Sequence, residues 1–335
     1  MEKLLTISIP AYNISKYIDR IMSTILSSKY KDALEVLIVN DGSTDNTLEL
    51  AQKYQKAEPS VIKIIDKKNG GHGSTINAGI EKATGRYFKV IDGDDWVDTN
   101  ALDYMINELI NLNIMDDILV CDYTFVDENC EVIEKINNLE QNHISDKFSY
   151  NSTYPVEKIC SSGTFPFPFH SLYYRTDLMK KSRKIDENCF YVDIEYALYP
   201  FEYAQTIRFI NANVYMYLIG REGQSISPEN YYKNKSNLET VLFSLLDFYQ
   251  SESVSTKLKL YILRRIQALY SDIVNVYLYI GNKNEANNWF IPIEKKTKEV
   301  SLQFYNSMKS NTILKFIRAM HYCGYRFFSF YKAKK

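Results

Sequence analysis

Three aspartates crowded around one glycine, Asp92-Gly93-Asp94-Asp95, are the densest point of chemistry in this 335-residue chain. Their charges repel one another unless a cation sits among them, and a divalent metal is the natural candidate. An acidic turn hinged at Gly93 is the alternative. A second acidic cluster, Asn40-Asp41-Gly42-Ser43-Thr44-Asp45, comes earlier. Each cluster ends an apolar, β-branched run, Val36–Val39 or Tyr87–Ile91. Such runs are expected of buried parallel strands that deliver carboxylates to their C-terminal edge, which is where open α/β sheets bind ligands.

The elements that must position these clusters alternate in βαβ fashion over the first hundred residues. Leu4–Pro10, Leu34–Val39, Val61–Ile65 and Tyr87–Ile91 read as strands. Ser15–Ser27 reads as a helix with Ile18, Ile21 and Ile25 on one face. Ser43, Thr44 and Asp45 offer capping side chains for a helix through Leu48, Ala51 and Tyr54 that ends before Pro59. A glycine loop, Asn69–Gly73, precedes a helix near Ser74–Lys82. A helix over Thr99–Leu112 and a strand over Ile118–Tyr123 follow. The segment Gly163–His170 is an aromatic loop punctuated by proline. Thr206–Tyr217 is β-like, and from about Pro228 onward the pattern is helical. This divides the chain into an α/β domain, 1–225, and a helical C-terminal region, 226–335.

Lys+Arg (40) and Asp+Glu (41) nearly balance, so no overall field argues for nucleic acid as a partner. Five cysteines without CxxC spacing argue against a disulfide framework and a zinc site and fit a reducing cytoplasm. The N-terminus enters a strand at once, without the apolar length or cleavage site of a signal peptide. No stretch reaches the length of a spanning helix. The segment Ile313–Tyr331 spaces Ile313, Phe316, Ile317 and Met320 along one face, with a basic tip at Lys332–Lys335. Such a helix either docks on its own domain or a subunit partner, giving a homo-oligomer, or lies peripherally on the inner membrane face.

Taken in order, Pro10-Ala11-Tyr12-Asn13, Asn40–Asp45, Asn69-Gly70-Gly71, Asn77-Ala78-Gly79, Gly85 and Asp92–Asp95 resemble the family 2 glycosyltransferases over roughly residues 1–225. The resemblance implies the GT-A fold: a mixed, mainly parallel sheet flanked by helices. It also implies a UDP-sugar donor, a divalent cofactor (Mn2+ or Mg2+), and inversion at the anomeric carbon of a sugar passed to a glycan acceptor. Asp92-Gly93-Asp94 matches the family's DxD element, with Asp94 as direct metal ligand, Asp92 on the ribose or behind the metal, and Asp95 in support. Asp41 matches the nucleotide-binding aspartate, beside a base pocket walled by Pro10, Ala11 and Tyr12. A helix-start acid is the alternative for Asp41, and Asp45 is better placed for that capping role.

Inversion needs a base on the face of the sugar opposite the leaving group. The family's acidic motif matches Phe190–Tyr196, with Asp193 as base and Glu195 as runner-up; a plain surface helix start is the alternative. Val192 departs from the pattern, since an acid usually stands there. Ile76 departs too, where relatives carry Arg, leaving a diphosphate contact missing or supplied by His72 or Arg86. Arg221, with Gln224 and Ser225, resembles the segment that closes over the site, although an ordinary solvated Arg reads the same way. Asp95, Trp96, His170 and Gln224 are acceptor-side candidates, and Trp96, Phe165, Phe167 and Phe169 either stack on sugars or pack in the core. The rival functions are a non-catalytic nucleotide-binding scaffold and a sugar-nucleotide pyrophosphorylase. The latter would need a basic, Gly-rich N-terminal signature that Pro10–Asn13 does not supply.

Overall fold

The computed structural model describes residues 2–111, 113, 115–220 and 227–322. The chain divides into two compact units, Met1–Glu222 and Gly223–Lys335. Arg221 and Gln224 lie outside the described residues, as does the segment from 323 onward.

In the first unit one sheet contains ten strands: β1 Leu5–Ala11, β2 Leu34–Asp41, β3 Ile62–Lys67, β4 Tyr87–Val90, β5 Trp96–Val97, β6 Ile118–Val126, β7 Val132–Ile136, β8 Thr153–Pro155, β9 Leu172–Arg175 and β10 Thr206–Leu218. The main order is β3-β2-β1-β4-β9-β6-β10-β5, with β7 on β6 and β8 on β10. Strands β3, β2, β1 and β4 are mutually parallel, as are β6 and β10. Between these two parallel groups runs the short β9, antiparallel to both β4 and β6. This strand follows the aromatic loop and has only four residues, too few to show a period in the sequence.

Every residue of β1, β2 and β4 is buried, as expected of strands covered on both faces. Close packing explains the glycines of the family pattern. A Cβ at Gly79 would lie 2.2 Å from the Ser8 hydroxyl, and one at Gly85 would lie 2.6 Å from the Thr6 nitrogen, so helix and loop could not sit against β1. Gly93 is needed for the same reason rather than as a hinge, because its Cβ would meet the Pro10 carbonyl at 2.7 Å.

The second unit is built from helices, the longest being Lys235–Gln250, Thr256–Tyr279 and Lys283–Val300. Its centre holds a buried carboxylate, Glu294, gripped in bidentate fashion by Arg318 (2.7 and 2.8 Å) and bonded by Tyr270 and Tyr322. The helix Thr312–Ala319 buries Leu314 and Ile317, while Phe316 and Met320 stay exposed. The apolar face expected from sequence is thus rotated: Leu314 replaces Phe316, and Arg318 turns inward. That helix docks on its own unit. Among the described residues no helix is long and apolar enough to cross a membrane.

Candidate active site

The C-terminal ends of β1 and β2 are locked together. The Asn13 side-chain oxygen accepts from the Thr44 N–H (2.8 Å), and the Thr47 hydroxyl accepts from the Ile14 N–H (2.9 Å). Asn13 pays for this position with a left-handed backbone, φ 54°. Asp45 bridges the same two loops, accepting from the Ser15 and Thr47 N–H groups, the latter at the start of the helix Thr47–Ala57. Although burial works against it, these bonds from Ser15 and Thr47 hold its carboxyl down at about 2. Tyr12 is 53% exposed, so it is no core aromatic. Pro10 and Ala11 are buried beside it.

Asp41 ends β2 with its carboxylate turned into the fold. It takes the Lys67 ammonium at 2.6 Å and the Gly70 and Gly71 N–H groups at 2.9 Å each. Asn69 adds a bond to the Asp41 carbonyl (2.9 Å), so the glycine loop is strapped to the strand end. From the other side, the loop meets the segment 185–189. The Asn188 N–H bonds the Gly70 carbonyl at 2.6 Å, and a Cβ at Gly73 would lie 1.9 Å from the Asp186 carbonyl. Asn77 clasps the Ile185 backbone through both halves of its amide (2.8 and 3.0 Å). The sequence motifs of the first hundred residues are therefore tied to the stretch that leads into Asp193.

Asp193 opens the helix Asp193–Leu198 and remains partly exposed. Its charge acts on Asp92, about a hundred residues earlier, and on Tyr217. Glu195 lies differently: it is fully buried, with one oxygen accepting from the Asp186 N–H at 2.8 Å. Burial pushes its carboxyl up to about 8, despite that bond. Glu195 thus supports the 185–193 loop from inside, and Asp193 is the carboxylate at the open edge.

Asp92 is held in an environment unlike that of Asp41. Burial raises its carboxyl to about 6; His72 opposes the rise, while Asp94 and Asp193 add to it. Its buried Oδ1 has no hydrogen-bond partner and stands 3.7 Å from the His72 Nε2, beyond hydrogen-bond reach. Of the two substitutes for the arginine that Ile76 replaces, only His72 is near. Arg86 lies at the opposite end of β4 and approaches Glu2. The Arg20 guanidinium stacks 3.7 Å over the Trp96 ring and donates to the Asp94 carbonyl at 3.0 Å, clamping the acidic turn.

Two acceptor-side expectations are corrected. Asp95 is fully buried, with its oxygens spent on the Tyr215 hydroxyl (2.6 Å) and the Leu218 N–H (2.8 Å), so it ties the turn to β10. Trp96 is buried with Val126 and Leu218 beneath Arg20. Phe167 and Phe169 are also buried, whereas Phe165 is exposed. His170 lies against the tyrosines of β10: its ring stacks 4.2 Å from Tyr217 and meets Tyr215 edge-on at 4.9 Å. Both its ring nitrogens are buried without partners, and burial, with Lys89 next, pulls its pKa well down.

Sequence reasoning passed over Arg20, Lys89, Tyr215 and Tyr217. Lys89 carried a visible signal, a lone cation inside the otherwise uncharged run Tyr87–Ile91. The two tyrosines carried none, because their register against Asp95 depends on the irregular pairing of β10 with β6.

Residues 6–174 match the model of glycosyl transferase family 2, and the chain belongs to that family. The chain is 41% identical over 121 residues to a chondroitin synthase and to a hyaluronan synthase of Pasteurella multocida, matches that cover 36% of this chain and 12% of each synthase. It is 28% identical over 235 residues to the uncharacterized glycosyltransferase EpsJ of Bacillus subtilis, covering 70% of this chain and 65% of that one. Among solved structures, S. aureus TarS 1-349 in complex with UDP-GlcNAc superposes with a TM-score of 0.67 at 18% identity, covering 99% and 92% of the two chains. The mannosyltransferase PcManGT of Pyrobaculum calidifontis, in complex with GDP-Man and Mn2+, reaches 0.55 at 13% identity, covering 99% and 85%. The fold of the first unit is GT-A, and a helical C-terminal region follows it.

Proposed function

We propose that this chain is an inverting glycosyltransferase that moves a sugar from a UDP-sugar to a hydroxyl of a glycan acceptor. The observation that carries the reading is that the charge of Asp193 acts on Asp92, about a hundred residues earlier in the sequence, and on Tyr217 of β10. UDP is favoured by the motif resemblance and by the UDP-GlcNAc held by the TarS neighbour.

The pre-tied loops of Pro10–Asn13 and Asn69–Gly71 form the nucleotide side, with the buried Asp41 holding the glycine loop through Gly70 and Gly71 rather than contacting the base directly. Asp193 takes the proton from the acceptor hydroxyl as that oxygen attacks the anomeric carbon, and the bond to the diphosphate breaks on the opposite face. His72 faces the diphosphate in place of the missing arginine. Among the described residues no three His, Cys, Asp or Glu side chains converge as a complete metal cage. One or two carboxylates suit an ion that keeps waters and phosphate oxygens in its shell, and the unpartnered buried oxygen of Asp92 fits that demand. Asp94 and Asp92 would hold Mn2+ or Mg2+, which when bound supplies positive charge beside the departing diphosphate.

The test is UDP release from a panel of UDP-sugars with Mn2+, Mg2+ or EDTA, in wild type, Asp94→Ala and Asp193→Asn. Release from one donor that requires metal and Asp94 is expected, with acceptor-dependent turnover lost in Asp193→Asn. UDP bound but never released from any donor, on any acceptor or water, would point to a scaffold instead.

A further inference from the structure

Lys89 is a cation in a strand whose every residue is buried. An aliphatic side chain would pack there without the cost of desolvating a charge. Burial pulls its pKa down to about 7, so that cost is met only in part, by a specific set of partners: its Nζ donates to the carbonyls of Phe169 (2.6 Å), His170 (2.7 Å) and Leu172 (3.3 Å). The rings of Tyr173, Tyr215 and Phe169 surround it at 4.8, 4.9 and 5.6 Å.

Three carbonyls from four consecutive residues point at one nitrogen, so the ammonium sets the course of the turn 169–172. That turn carries His170, whose ring lies against Tyr215 and Tyr217. Tyr215 in turn donates its hydroxyl to Asp95 and accepts the Asp92 N–H at 3.2 Å. Lys89 also precedes Asp92 by three residues on the same strand run, and its charge acts on both Asp92 and Asp95. A single side chain therefore joins the strand that delivers the acidic turn to the aromatic wall beside it.

We infer that Lys89 is a positioning residue, fixing the His170 wall relative to the Asp92–Asp95 turn so that acceptor and donor sides of the site keep one geometry. The inference rests on the transferase reading for its kinetic arm only.

Lys89→Met keeps the stem and removes the donors; Lys89→Gln keeps a shorter, neutral donor. Hydrogen exchange at the amides of 169–173 is expected to speed by about tenfold or more in Lys89→Met and by less in Lys89→Gln, with β1 and β2 amides unchanged. On the donor the wild type uses, kcat is expected to fall about tenfold or more in Lys89→Met, with Lys89→Gln between, while Kd for UDP with Mn2+ stays within about twofold. If Lys89→Met does not fold, Lys89→Gln carries both readouts. Unchanged exchange at 169–173, exchange that rises equally in β1 and β2, or wild-type kcat in both variants would each overturn the inference. The exchange arm stands even if no donor is found, so failure of the transferase reading is separable from failure of this one.

Discussion

The two acidic clusters at the edge of this sheet are alike in sequence and opposite in state. Asp41 and Asp45 spend their oxygens on protein groups, namely Lys67, the Gly70 and Gly71 N–H groups, Ser15 and Thr47. Asp92 keeps a buried oxygen without a hydrogen-bond partner, and its carboxyl is raised to about 6 by burial and by neighbouring acids. The first cluster is finished by the fold itself. The second is held in place by the fold, through Arg20, Tyr215 and Asp95, yet left electrostatically incomplete. A fold that builds both can present a rigid pocket and a charge-hungry one side by side, which is what binding a nucleotide and then releasing its diphosphate would require.

This contrast can be broken from the second cluster first. Asp193→Asn is expected to lower kcat by about 10²–10⁴-fold, the usual worth of a positioned base, with UDP affinity unchanged. Kinetics paired with UDP titration check it, and a full loss in Glu195→Gln with turnover kept in Asp193→Asn would reverse the roles of the two acids.

Breaking the first cluster should cost stability rather than chemistry alone. Asp41→Asn removes the Lys67 partner and weakens two N–H bonds, with an expected loss of about 1.5–3 kcal/mol in denaturant unfolding. Gly73→Ala is expected to cost about 1–3 kcal/mol, because its Cβ would collide with the Asp186 carbonyl and push the 185–193 loop away. A loss of turnover larger than the loss of stability is the signature that the glycine loop sets the position of Asp193.

The smallest effect sharpens the comparison through pH. Between its ordinary 4.5 and about 8, folded Glu195 keeps a proton that the unfolded chain has released. The folded state binds more protons in that window, so this contribution to stability is present below 4.5 and is lost as pH rises through about 8. Glu195→Gln is expected to flatten that slope in denaturant midpoints measured across the window.

The strand ends and the capping residue of the first cluster were legible because that part of its information is local. Asp45 accepts from Thr47 only two residues on, and β2 and β4 fall where apolar runs meet Asp, although the partners of Asp41 and Asn13 come from about thirty residues away. The expectation for Asp193 rests only on resemblance to a family, since nothing in its own neighbourhood states which carboxylates it faces. The antiparallel β9, the inward turn of Asp95 and Trp96, and the three carbonyls on Lys89 were not legible. Each depends on backbone groups brought from far along the chain, and carbonyl directions leave no trace in residue type.

The most direct test of the difference between the clusters is UDP affinity measured by calorimetry in Mn2+ and in EDTA, for wild type and Asp94→Ala. The expected result is that Mn2+ tightens wild-type binding by about tenfold or more, or about 1.4 kcal/mol, while Asp94→Ala keeps the EDTA affinity and loses the gain. Equal wild-type affinity with and without Mn2+, or an EDTA affinity that falls in Asp94→Ala, would contradict a finished nucleotide side standing beside a metal-completed acidic turn.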